Sequence, residues 1–167
     1  MTLEEAIKTA IDYETKVRDA YLDNVEGIAD KTGRQVFKTL GDEEQGHIDY
    51  LESRLAEWQK TGKVSQTELE SVVPAKNIIE AGVRKLDDHM ATRDYGTERE
   101  MLTKALAMEQ ETSAFYRRMV DELGKEGTLF ARFLEIEEGH EAIVQAELDY
   151  LNQTGHFFDF QEFNMEH

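Results

Sequence analysis

The stretch "DEEQGHIDYL" (residues 42–51) places His47 three residues after Glu44, on the side of a helix that should be apolar. Phe37, Leu40, Glu44, His47, Leu51, Leu55 and Trp58 recur at three- and four-residue spacing, so they share one helical face. Further along, "IEEGHEAIV" (136–144) repeats the arrangement with Glu137 and His140. There the stripe is Phe130, Phe133, Leu134, Glu137, His140, Val144, Leu148 and Leu151. Of the five histidines, only His47 and His140 have a glutamate at minus three.

Each of these helices follows another that carries its own glutamate. In the first, Ile7, Ala10, Ile11, Glu14, Val17, Tyr21, Val25 and Ile28 form a stripe, with Thr2 and Glu5 spaced as a capping box. In the third, Leu102, Ala105, Leu106, Glu109, Tyr116, Met119 and Leu123 line up. "AIDYETKVRDAY" (10–21) matches "ALAMEQETSAFY" (105–116) at an offset of 95, and the Glu-x-x-His motifs match at 93. "TG" at 61–62 and 154–155 ends both second helices, with Gly62 a C-cap. The chain is therefore a duplication of one helical hairpin. Four long helices and a long connection over 62–97 predict an all-α four-helix bundle with a crossover. That connection contains Pro74, a capping-box pattern at Ser65 and Glu68, and a less regular helix in "AKNIIEAGVRKLDDHMA". The bundle is expected to occupy residues 1–154 and an aromatic tail residues 155–167.

Composition narrows the function. The chain has 167 residues, 40% apolar and 33% charged, and a formal net charge of −17. Nucleic acid is an unsuitable partner for so acidic a surface. The absence of cysteine excludes disulfides, Cys-ligated zinc and iron–sulfur clusters. No apolar run is long enough for a membrane helix, and the N-terminus lacks a signal-peptide pattern; a cytoplasmic location is the default expectation.

Glu14, Glu44, Glu109 and Glu137 thus point into one core with His47 and His140. Four buried carboxylates would repel one another and resist ionisation. Two divalent cations restore neutrality, and carboxylate plus imidazole suits iron or manganese, with zinc also compatible. One Glu from each of two helices and Glu-x-x-His from each of the other two is the ligand pattern of di-iron carboxylate bundles. Tyr21 and Tyr116, seven residues after Glu14 and Glu109, are placed to hydrogen-bond carboxylates from outside the ligand set.

On "EEQGH" (43–47), "MEQETSAFY" (108–116) and "EIEEGH" (135–140), the chain resembles the rubrerythrin-type branch of the ferritin-like superfamily over residues 3–60 and 98–155. The resemblance implies a ferritin-like bundle with a non-haem di-iron centre. Glu14 and Glu109 would be terminal ligands, Glu44 and Glu137 would bridge, and His47 and His140 would take one iron each. It also implies reduction of hydrogen peroxide or oxygen. Full rubrerythrins add a four-cysteine rubredoxin module, so here electrons are expected from a separate donor. They also carry an extra glutamate where this chain has Thr112, with Glu111 turned away. A homodimer is the expected assembly. The alternatives are a ferroxidase that handles iron, and a binding module whose metal only holds the bundle together.

Other residues are read as structural. His89 is expected to be a solvated helix residue, and His156 and His167 have no counterpart in the repeat. Glu43 and Glu138 are expected to be exposed acids. Met101, Met108, Met119 and Trp58 are expected to pack. Phe157, Phe158, Phe160 and Phe163 are expected to bury against the bundle or across a dimer.

Overall fold

Thr2 starts the first helix by exchanging hydrogen bonds with Glu5. Glu5 N–H donates to Thr2 Oγ1, and Thr2 N–H donates to Glu5 Oε2, both at 3.2 Å. The computed structural model describes residues 1–65, 69–84 and 96–165. Its helices are α1 (Leu3–Leu22), α2 (Lys31–Thr61), α3 (Lys76–Val83), α4 (Gly96–Leu123), α5 (Thr128–Thr154) and α6 (Glu162–Met165). α1 packs on α2 and α4 on α5 as two hairpins, and α1 packs on α4 to join them. The architecture is an all-α four-helix bundle, with no strand among the described residues.

The repeat extends to the helix ends. Gly62 and Gly155 close α2 and α5 with φ of 70° and 73°, a region costly for any residue with a Cβ. Each donates its N–H back four residues, to Trp58 O at 2.8 Å and to Leu151 O at 2.9 Å. α1, however, is shorter than its apolar stripe implies. It ends at Leu22, Val25–Gly27 forms a 3-10 turn, and Ile28 is extended. The turn still buries Ile28. Arg34 Nη1 donates to the carbonyls of Ile28 and Ala29 at 2.9 and 3.1 Å, replacing partners that a longer helix would have supplied.

Two apolar clusters fill the bundle. One includes Val17, Tyr21, Phe37, Leu40, Leu102, Ala105, Ile143 and Val144. The other includes Ala6, Ile7, Ala10, Phe115, Tyr116, Met119, Phe130 and Phe133. On each of the four long helices the candidate ligands fall between these two sets in sequence. A polar layer therefore lies at mid-height, walled above and below by apolar side chains.

The crossover begins with a strap, residues 69–74, laid over α2 and α5. Arg132 Nε on α5 donates to Leu69 O at 2.8 Å. Ser71 Oγ and Val72 N–H both donate to Glu43 on α2. Pro74 O passes so close to α5 that a Cβ added at Gly139 would stand 3.1 Å from it. The helix expected after Pro74 is present as α3, Lys76–Val83. Its continuation, the Glu68 half of the cap at Ser65, and the residues His89 and His167 lie outside the described residues.

The aromatic tail folds onto its own bundle. Phe157, Phe158, Phe160 and Phe163 are buried in the same cluster as Phe37 and Val144. Phe157 meets Phe37 edge-on at 6.4 Å, and Phe158 meets Tyr150 edge-on at 5.4 Å. Phe163 lies across Gly82, where an added Cβ would come within 2.7 Å of the ring. Met119 is buried, and Met101, Met108 and Trp58 are partly buried against the clusters. No described helix is long and apolar enough to cross a membrane.

Candidate metal centre

The six residues singled out by the repeat converge. Glu14 comes from α1, Glu44 and His47 from α2, Glu109 from α4, and Glu137 and His140 from α5. Five of them are 0% exposed and His47 is 1% exposed. The three-residue spacing of Glu44 and His47, and of Glu137 and His140, stacks each pair one turn apart on the inner face.

The geometry divides into two tetrads. In one, His47 Nδ1 lies 3.5 Å from Glu14 Oε2, 3.3 Å from Glu44 Oε2 and 3.3 Å from Glu137 Oε1. In the other, His140 Nδ1 lies 2.7 Å from Glu44 Oε1, 3.4 Å from Glu109 Oε1 and 3.9 Å from Glu137 Oε2. Within each tetrad, one donor atom per residue falls inside a 4.8 Å sphere of mutual distances. Glu44 and Glu137 belong to both.

The tyrosines cross between hairpins. Tyr21 Oη on α1 donates to Glu109 Oε1 on α4 at 2.7 Å, and Tyr116 Oη on α4 donates to Glu14 Oε1 on α1 at 2.6 Å. Each bond fixes one oxygen of a carboxylate and leaves the other free. Tyr116 is itself held by stacking on Phe130 and Phe133, with centroids 5.7 and 5.2 Å away. Phe133 also meets the His47 ring edge-on at 5.4 Å.

Electrostatics in the layer are extreme. Burial pushes the Glu44 carboxyl well above the usual range, and Glu14 and Glu109 add repulsion. Burial likewise raises Glu137, with Glu14, Glu44 and Glu109 adding to the rise. Burial lowers the tendency of His47 to protonate, but the Glu14 and Glu44 carboxylates outweigh it and lift the imidazole to about 10. His140 is raised in the same way, burial being overcome by Glu44, Glu109 and Glu43. Burial also works to raise Glu14 and Glu109. Glu14 is nevertheless held low by His47, and Glu109 by its bond with Glu137 and by His140. These directions favour protons on His47, His140, Glu44 and Glu137, whose charge would offset Glu14 and Glu109 where two dications are not bound.

The donor set fits divalent metal. Glu14 Oε2, Glu44 Oε2, Glu109 Oε2, both Glu137 oxygens and His47 Nδ1 face the layer, buried without a hydrogen-bond partner. A buried polar atom left so costs about 1–3 kcal/mol, and coordinated ions would satisfy these inward atoms together.

Glu43 corrects an expectation. It is no exposed acid: its side chain is 6% exposed, and Oε1 lies 3.0 Å from His140 Nε2. Burial works to raise its carboxyl, yet His140, Ser71 and His47 hold it at about 2. Its position four residues before His47 was the available signal; its partners on α5 and the strap are distant in sequence. Glu138 is partly exposed, its side chain 40% accessible, with Arg117 Nη2 at 3.5 Å. Thr112 is buried and donates to Met108 O at 2.8 Å, while Glu111 is exposed. His156, half-buried in the tail, belongs to none of the groups able to hold an ion. Glu147, fully buried beneath the tail, was missed altogether.

Residues 24–154 match a family model described as "Ferritin-like domain". Comparison with curated proteins and with solved structures returned no match.

Proposed function

The chain belongs to the ferritin-like domain family, and from that premise we propose that its polar layer holds two iron ions and reduces hydrogen peroxide or oxygen, in the manner of a rubrerythrin-type oxidoreductase served by an external electron donor. The observation that carries this reading is the pair of buried tetrads sharing Glu44 and Glu137. On this reading Glu14 and His47 would hold one ion and Glu109 and His140 the other, with Glu44 and Glu137 shared between them. Iron held there would supply the two electrons that peroxide reduction consumes. Manganese suits the same donors, and zinc would occupy them without redox chemistry.

The chain's own residues prepare that chemistry. Tyr21 and Tyr116 orient Glu109 and Glu14 through short hydrogen bonds. The apolar clusters on either side keep bulk water from the layer. Protons on His47, His140, Glu44 and Glu137 must leave when metal binds, so loading tightens as pH rises. A surface cavity of ≈ 430 Å³ between α2 and the strap is lined in part by Asp42, Glu43, His47 and Glu70, and gives a small oxidant a path to the layer's edge. These 167 residues hold no cysteine for a rubredoxin-type iron, so on this reading the electrons come from outside them. With a threonine at 112, a centre of six ligands is the one we assign. The acidic lining of the cavity also suits delivery of ferrous ions, which supports a ferroxidase as the second reading.

Anaerobic ferrous titration followed by mixing with peroxide or oxygen tests the proposal. Two irons per chain, fast stoichiometric oxidation by peroxide and turnover on added reductant are expected. Uptake well beyond two irons would favour the ferroxidase. Metal that raises the melting temperature but resists both oxidants would leave only a structural site.

A further inference from the structure

A neutral imidazole has one N–H and one lone pair. If Nδ1 of His47 and His140 faces the carboxylates as an electron-pair donor, the proton of each ring sits on Nε2 and points away from the layer. Both rings are buried, so water is a poor acceptor and the protein must supply one. The rings lie nearly parallel, with centroids 5.5 Å apart and planes at 27°, and both Nε2 atoms come within 4 Å of a single carboxylate oxygen. That carboxylate is Glu43. Its Oε1 is 3.0 Å from His140 Nε2 and 3.9 Å from His47 Nε2.

The repeat provides no second residue of this kind. At the 93-residue offset, the counterpart of Glu43 is Ile136, a buried apolar side chain. Glu43 is in turn fixed from behind, where Ser71 Oγ donates to Oε1 and Val72 N–H donates to Oε2 at 3.2 Å. One carboxylate, anchored by the strap, thus addresses both histidines.

We propose that Glu43 is a shared positioning residue for the two metal-binding imidazoles. It accepts the Nε2–H of His140, and that of His47 once the ring seats, and so presents both Nδ1 lone pairs to the carboxylate layer. The strap belongs to the metal centre through this contact, although no strap residue ligates. The inference rests on the metal-centre reading above, and its test separates the two.

Cobalt(II) titration followed by visible absorption, on the full chain, measures stoichiometry and affinity. Zinc-loaded, nitrogen-labelled protein reports the Nε2–H protons as slowly exchanging imidazole resonances in NMR spectra. Glu43→Met keeps length but removes the acceptor. It should weaken cobalt binding by about 10- to 100-fold and abolish the His140 Nε2–H resonance. Glu43→Gln, which keeps one acceptor oxygen, should fall between it and wild type. Wild type taking two cobalt ions, with Glu43→Met matching it within about twofold and keeping both resonances, would overturn this inference alone. Failure of the wild type to take a cobalt pair would overturn the metal-centre reading and this inference with it. If Glu43→Met does not fold, Ser71→Ala takes its place. A shifted His140 Nε2–H resonance there supports the proposal, and an unmoved one overturns it.

Discussion

Glu109 and Glu111 stand two residues apart on α4 and meet opposite environments. Two residues turn a helix by about 200°, so one side chain enters the polar layer while the other faces water. Glu109 is fully buried and receives the Tyr21 hydroxyl, whereas Glu111 is exposed. Glu109→Ala should therefore lose one of two bound ions, or weaken both by about tenfold or more, which is about 1.4 kcal/mol or more. Glu111→Ala should bind like wild type. Isothermal titration of both variants with ferrous or cobalt ions decides this; equal losses would place the ligand register of α4 elsewhere. All six candidate ligands were legible in the sequence because each sits on an apolar stripe at a repeated offset. Glu43 was not, because the repeat gives it no acidic counterpart and its other partners come from α5 and the strap.

Elements show a second kind of hidden contact. α5 carries Glu147 on its buried side, where Oε1 accepts the Phe158 N–H of the tail at 2.9 Å. Burial pushes this carboxyl well above the usual value of 4.5, the Phe158 N–H pulls it partly back, and Asp159 and Asp30 add to the rise. The folded protein therefore holds a proton that the unfolded chain releases above pH 4.5. Its stabilising effect is complete below that pH and is lost as pH rises toward the folded pKa. The loss amounts to about 1.4 kcal/mol per pH unit within the window. Glu147→Gln should flatten this dependence, so wild type should lose stability relative to the variant as pH rises above about 5. Chemical denaturation at several pH values measures it, and parallel curves would show that Glu147 does not titrate with folding. The sequence disclosed where α2 and α5 end, because glycine caps are local signals. It did not disclose that α1 stops at Leu22, because the apolar period continues through Ile28 while the backbone does not. The tail's place on Gly82 and Phe37 was equally out of reach, since an aromatic run states a need for burial but no address.

At the scale of the whole molecule, the duplication was plain from two matched offsets, and it predicted a bundle of two hairpins. What the offsets could not give is which hairpin serves which. The tyrosine hydroxyls settle it by crossing: Tyr21 serves Glu109, and Tyr116 serves Glu14. Separated, each half would keep a buried acid without its hydroxyl and expose the seam between α1 and α4. Polypeptides spanning 1–65 and 96–165 should each melt without a sharp transition in circular dichroism, and should gain one when mixed. A sharp transition from either alone would mean that a hairpin is self-sufficient. The gene-like symmetry of the repeat thus conceals a mutual dependence. Each hairpin's glutamate is held by the other's tyrosine, so a change at Tyr21 is felt at Glu109 and a change at Tyr116 at Glu14.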